Sequence, residues 1–188
     1  MSALALTQDT LVVLSGVVAA ACLTIGPVFR TRRAILLAQL GAALCFATHY
    51  AFLGIAVAAA VNIIGSVQTF AALFSTQSRA MNRLGYVLIV LMALIGLWFW
   101  QGPISGLSVV AMTLIALARM QSDQIRLRTL LIAGGCTWMV HDVIGEAWIA
   151  FAADIGAVAI GLAALLPLLV RVTVEWRPTA PVPAAPAA

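Results

Sequence analysis

Residues 49–63 read His49-Tyr50-Ala51-Phe52-Leu53-Gly54-Ile55-Ala56-Val57-Ala58-Ala59-Ala60-Val61-Asn62-Ile63. Shifted by 92 residues, the same stretch falls on His141-Asp142-Val143-Ile144-Gly145-Glu146-Ala147-Trp148-Ile149-Ala150-Phe151-Ala152-Ala153-Asp154-Ile155. The two histidines of the chain coincide, and Asn62 coincides with Asp154. The match runs outward without a gap. Val17-Val18-Ala19 falls on Val109-Val110-Ala111, and Ala71-Ala72-Leu73 on Ala163-Ala164-Leu165. Ala-on-Ala matches are cheap in a chain so rich in alanine. The histidine pair and the Asn/Asp pair are not.

Around these stretches the chain is built for a bilayer. Of 188 residues, 64% are hydrophobic and 9% charged, against about 25% charged in soluble domains. So little polar material cannot cover a soluble fold of this size. The apolar residues fall in blocks near the length of about 20 residues that a spanning helix needs: Leu11–Phe29, Ala34–Leu53, Ile55–Phe74, Leu84–Trp100, Pro103–Ala118, Thr129–Ile144 and Ala147–Val172. They lack strand-like alternation, so the expected fold is all-α, a polytopic membrane protein rather than a barrel. The fifth block can borrow Gln101 and Arg119, and the sixth can extend back to Leu127. Met1–Thr10 has no basic residue, so the first block reads as a retained helix, not a signal peptide.

Every basic residue is an arginine, and their placement sets an orientation. Arg30, Arg32 and Arg33 follow the first block, and Arg79 and Arg83 lie between the third and fourth. Arg119, Arg126 and Arg128 lie between the fifth and sixth, and Arg171 and Arg177 end the seventh. The alternate connections, around Gly54, Gly102 and Gly145, carry none. Seven crossings put all of them on one side, which the positive-inside rule makes cytoplasmic. The N-terminus is then periplasmic, with residues 1–10 outside, and the Pro/Ala-rich tail 177–188 is a disordered cytoplasmic end. Trp98, Trp100, Trp148 and Trp176 fall where interfacial tryptophans belong. The net charge of +4 reads as topology and headgroup contact, not nucleic-acid binding.

The repeat therefore contains three helices, residues 11–75 and 102–173, with residues 81–101 as a linker helix. An odd linker lets both units insert in the same orientation, giving a 3+1+3 arrangement of parallel repeats whose interface is the natural place for a pathway. Polar residues deep in a span are costly and face the bundle or a cavity. Asn62 and Asp154 are therefore candidate solute-binding residues, Asn62 on a small-residue face with Ala58, Gly65, Ser66 and Thr69. The competing reading is interhelical hydrogen bonding. His49 and His141, with Phe46 and Trp138 one turn earlier, complete the candidate substrate pocket: an aromatic and a hydrogen-bonding group from each unit. Pro27 is a candidate hinge. Asp142 and Glu146 read as solvated surface charges. Cys22, Cys45 and Cys136 read as small packing residues.

Catalytic readings find little support. A retinal protein needs a Schiff-base lysine, and there is none. A zinc hydrolase wants three ligands and an open position, and no His-Glu-x-x-His motif is present. No catalytic residue, metal or cofactor is expected. A bis-histidine haem site through His49 and His141 is the cofactor alternative.

Two motifs carry a family resemblance: His49-Tyr50-Ala51-Phe52-Leu53-Gly54 followed by Asn62, and Cys136-Thr137-Trp138-Met139-Val140-His141-Asp142. They resemble the YgjV-type bacterial inner-membrane family, over most of residues 11–172. That family is grouped with the SWEET, SemiSWEET and PQ-loop transporters. The resemblance implies a bacterial inner-membrane protein of three helices, a linker helix and three helices. In sugar-carrying members a Trp on the second helix and an Asn on the third face the solute. Those roles would fall to Trp138 and Asp154 in one unit and to Phe46 and Asn62 in the other. Three departures are visible: Val28 follows Pro27 where Pro-Gln would stand, Asp154 replaces an Asn, and Phe46 replaces a Trp. The expectation is an alternating-access carrier of a small polar solute, a sugar or similar. The alternative is a non-transporting sensor, assembly factor or haem protein. The partners are the lipid bilayer and a small solute, and a homo-oligomer is compatible with the sequence.

Overall fold

The structure, a computed structural model, describes residues 3–53, 56–100, 102–146 and 148–175. Among the described residues it is all helical: α1 (Ala3–Ile25), α2 (Arg32–Phe52), α3 (Ala56–Phe74), α4 (Arg79–Trp98), α5 (Pro103–Met120), α6 (Gln124–Ile144) and α7 (Trp148–Glu175), with a 3₁₀ turn at Gly26–Val28. Five helices, α1, α2, α4, α5 and α7, hold stretches long and apolar enough to cross a membrane. The described apolar part of α3, Ala59–Phe74, is shorter. The sixth helix has the length, but Gln124, Arg126, Arg128 and Asp142 make it more polar.

Local chemistry sets the ends. Thr31, Ser78 and Asp123 cap α2, α4 and α6, their side-chain oxygens accepting from the amides of Ala34, Met81 and Arg126. Pro103 opens α5, where a missing N–H costs nothing, after Gly102 at φ 120°. Pro27 ends α1 at Ile25, because proline has no amide hydrogen to continue the ladder. The sixth helix occupies the bounds of α2 shifted by 92 residues, and α7 starts 92 residues after α3. The amides that close α2 and α6 donate to the carbonyls of His49 and His141.

Three boundaries correct the sequence reading. Residues 3–10 are the first turns of α1 rather than a separate N-terminal segment, because Thr7-Gln8-Asp9-Thr10 is polar but contains no helix breaker. The linker helix starts at Arg79, where Ser78 caps it, and ends at Trp98. The sixth helix starts at Gln124, five residues before its apolar block, under the Asp123 cap. The tail 177–188, Trp176 and Gly54 lie outside the described residues.

Short connections force neighbouring helices to run antiparallel. Each helix packs on its predecessor, from α1 on α2 through to α6 on α7. Additional contacts join α1 to α7 and α3 to α5, closing the bundle, with α4 laid over α3 and α5. We call one end the arginine end, where α1, α3 and α5 finish, and the other the histidine end, where α2 and α6 finish.

The packing inverts that of a soluble protein. Val13, Val17, Val87, Leu94 and Leu166 face outward, whereas Gln39, Ser66, Gln68, Thr69, Arg128 and Asp142 are buried. Alanines dominate the interior, and small residues let helices approach closely without a hydrophobic driving force. The largest apolar cluster joins Leu36 of α2, Ala72 of α3, Ile89 and Met92 of α4, and Ala116 and Met120 of α5. Hydroxyls return to their own helices: Ser66 donates to Asn62, Thr69 to Gly65 and Thr137 to Ala133. That is how an apolar solvent has them satisfied. Trp98, Trp100 and Trp148 project outward, Trp98 at 85% exposure, as ring anchors at a bilayer interface would.

Candidate functional site

At the histidine end, α2 and α6 each place a histidine one turn from their last residue. The Nδ1–H of His49 donates to the Val12 carbonyl of α1 at 2.8 Å, which fixes its tautomer. The His49 ring lies beside Gly16, where an added Cβ would come within 3.1 Å of the imidazole. His141 instead donates from Nδ1 to Oδ1 of Asp142, next to it in sequence, at 3.0 Å. Phe46 stacks on Tyr50, ring centroids 6.1 Å apart, and Trp138 meets His141 edge-on at 4.8 Å.

Asp142 is the correction at this end. The sequence reading put it on the surface, but it is 4% exposed. Part of its cover comes from α7, whose approach the local sequence cannot report: the carboxyl of Asp154 lies beside it. Oδ2 of Asp142 is buried and takes no hydrogen from a conventional donor. Two carboxyl groups satisfy each other only if one carries the hydrogen. Tyr50 and Asp142 are 92 residues apart and so stand at equivalent positions of the two sequence repeats. Glu146 is exposed, as expected.

The arginine end holds the largest surprise. Arginines whose positions had read as topology turn into the bundle. Arg32 donates from Nε to the Gln121 carbonyl at 2.6 Å, and from Nη2 to the carbonyls of Ala72 and Arg119 and to Ser75 Oγ, at 2.8, 2.9 and 3.1 Å. Arg128 donates to the carbonyls of Pro27 and Phe29. The cause is the helix ends themselves. The last carbonyls of a helix have no intrahelical donor, and away from water a guanidinium can serve several at once. Pro27 and Arg119 are 92 residues apart, and so are Phe29 and Gln121. Equivalent carbonyls of the two sequence repeats are thus capped from the opposite half. The donors are not equivalent: Arg128 sits one turn further along α6 than Arg32 does along α2.

Deeper in, Arg119 donates to the amide oxygens of Gln39, at 2.9 Å, and Gln68, at 3.4 Å. Gln68 in turn donates to the Ala116 carbonyl at 3.1 Å. Among the described residues no carboxylate stands within 4 Å of Arg32, Arg119 or Arg128. The Nε groups of Arg119 and Arg128 are buried without a partner.

Between the two ends lies a cavity bounded by α1, α2, α5, α6 and α7 and the Pro27 turn. Of the expected substrate residues, Asp154 lines it; Pro27 lines it too. His49, His141, Phe46 and Trp138 sit at the histidine end in the pairings above. Asn62 is half-buried on α3, and its carbonyl accepts from Ser66. The structure brings Asp154 together with Gln39 and Arg128 around the cavity, and with Asp142 beside it. Gln39 and Gln68, amides in the middle of apolar blocks, carried the same signal as Asn62 and were readable on that ground. Arg119 and Arg128 were not, since the positive-inside rule already accounted for them.

No curated protein and no solved structure matches the chain. Residues 11–168 match the family described as bacterial inner membrane protein, Imp-YgjV. That match spans most of a helical bundle whose outward faces are apolar and whose polar groups turn inward, and the chain belongs to the Imp-YgjV family of bacterial inner membrane proteins.

Proposed function

We propose that the protein is an alternating-access carrier of a small polar solute, with a SWEET-like 3+1+3 arrangement of parallel repeats. The reading takes all seven helices as crossings, with the N-terminus periplasmic and the arginine end cytoplasmic. The observation that carries it is the reciprocal capping. Arg32 of the first unit holds the end of α5, and Arg128 of the second holds the end of α1. The contacts of α1 with α7 and of α3 with α5 follow the same exchange. A two-fold axis along the bundle relates such pairs, as in carriers with parallel repeats.

Two units joined by hydrogen bonds at one end can part there while remaining packed at the other. Opening the arginine end means releasing the carbonyls held by Arg32 and Arg128. At the opposite end, the buried Asp142 side chain closes the pathway beside Asp154. A solute in the cavity would meet Asp154, Gln39 and Arg128. Asn62, His49, His141, Phe46 and Trp138 then shape the approach from the histidine end. The neighbouring carboxyls of Asp142 and Asp154 support coupling to a proton gradient, since two facing carboxylates repel each other and favour uptake of a proton.

The test is uptake of a panel of sugars, nucleosides, amino acids and organic acids into proteoliposomes. Transport of at least one class is expected, lost in Asp154→Ala and reduced in Asn62→Ala. Flux of no class, or flux indifferent to both variants, would count against this site.

A further inference from the structure

The cavity is not chemically uniform. Its arginine-end half is lined by Arg128, which is 4% exposed, and Gln39, which is 6% exposed. Arg128 has both terminal nitrogens on backbone carbonyls, and its Nε–H is buried without an acceptor. The amide oxygen of Gln39 is taken by Arg119, so its NH₂ is what it presents to the cavity it lines. Both groups are hydrogen-bond donors, and one is a cation. Arg119 behind Gln39 adds a second positive charge with an unsatisfied Nε–H. No carboxylate among the described residues lies within 4 Å of either guanidinium. The one acid on the cavity wall, Asp154, belongs to the other end and is engaged with Asp142. The remaining wall is apolar, from Leu23, Ile115 and Ala157 among others.

A donor-only, cationic half-pocket in a dry bundle lacks one thing, a negative acceptor. We propose that this cavity binds a small organic anion with an apolar body, its anionic group on Arg128 Nε–H and the Gln39 amide and its body against the aliphatic wall. The space for centres of water-sized molecules is about 50 Å³, several times the roughly 10–15 Å³ that one water needs. It suits a molecule of a few heavy atoms. The proposal deepens the carrier reading and rests on it for transport, though binding can be tested apart from flux.

The protein is placed in nanodiscs of purely zwitterionic lipid, and its melting temperature is followed against sodium butyrate, butyramide and sodium chloride at matched ionic strength. Binding to the folded state raises that temperature with the logarithm of ligand concentration above saturation. Butyrate is expected to raise it by a few degrees, and butyramide and chloride to leave it in place. Gln39→Glu keeps the side-chain shape and the contact with Arg119 but sets a negative charge at the anion's seat. It should weaken the butyrate response about tenfold or more. Ala157→Leu, which fills the cavity from α7, should abolish the response should the first variant fail to fold. Equal shifts with butyrate and butyramide, an equal shift with chloride, no shift, or a shift that survives both Gln39→Glu and Ala157→Leu would each overturn the proposal. So would loss of the butyrate response on adding anionic lipid, which would make a headgroup the occupant. A specific butyrate shift without flux of any solute would keep the anion site and remove the carrier. Flux of neutral solutes without the shift would do the reverse.

Discussion

Arg32→Gln removes three N–H donors that serve four oxygens on α3, the following turn and α5. Hydrogen bonds involving a charged group contribute about 1.5–3 kcal/mol each, so three would nominally give roughly 4–9 kcal/mol. Two corrections reduce this. Arg32 is only half-buried at the mouth of the bundle, so some of the freed carbonyls can turn to water. The variant also escapes the cost of holding a guanidinium partly desolvated. The expected loss is about 2–4 kcal/mol. At about 2–4 °C per kcal/mol for a chain of this length, the melting temperature in a fixed detergent should fall by roughly 4–16 °C. Arg33→Gln is the control. It removes the same charge one residue away from an exposed side chain, and its effect should stay within about 0.5 kcal/mol. Arg32→Lys should recover part of the loss, because an ammonium restores the charge without the planar fork. Equal melting temperatures for Arg32→Gln and Arg33→Gln would refute the capping argument. The arginines would then act through charge alone.

Other outcomes follow from the same geometry. Arg128→Gln should be destabilising on the same scale as Arg32→Gln, and the double variant should lose close to the sum, since the two side chains cap different helix ends; scanning calorimetry reads both. Gly134→Ala brings a Cβ within 2.6 Å of Ile115 Cγ1 and 3.2 Å of the Ala111 carbonyl, and should cost about 1–3 kcal/mol by thermal unfolding. Asp142→Asn keeps an acceptor for His141 and gains a donor toward Asp154, so it should fold normally. Asp142→Leu should lower the melting point clearly, because it strands the Asp154 carboxyl. In a chain with Cys22, Cys45 and Cys136 replaced by Ala, Glu146→Cys should react with an impermeant maleimide in intact spheroplasts and Ser122→Cys only after lysis. Labelling of both from one side would overturn the topology.

Much of the frame was legible because it rests on local chemistry. Apolar block lengths located the helices. Pro27 reads as a hinge within a block running to Phe29, whereas α1 ends before it at Ile25, where the missing amide hydrogen breaks the helix. The 92-residue shift relates α6 to α2, but the apolar block alone places the start of the sixth helix at Thr129, inside its observed start at Gln124. Burial was less legible. Asp142 stands two residues before the end of α6, a position that ordinarily meets solvent, and the approach of α7 helps to enclose it. The arginines escaped for a different reason. A side chain near a helix end can snorkel outward or fold inward, and the choice depends on which carbonyls a neighbouring helix leaves bare. Gln39 and Gln68 were readable as buried amides, but their partner was not, because it lies 80 residues from one and 51 from the other.

The Arg119 cluster has a consequence for ancestry. Its members have no counterparts at the shifted positions: Leu131 stands for Gln39, Ile160 for Gln68 and Pro27 for Arg119. On the two-unit reading, one half supplies the amides and the other the cation that bridges them. Two copies of the first half would bring four glutamines and no arginine to hold them. Two copies of the second would bring two arginines into an aliphatic interior. Neither could assemble as a homodimer with this centre, so the duplicated halves behave as an obligate heterodimer. The fourth helix then does more than set orientation, because it guarantees that each half meets only its complement, in equal number.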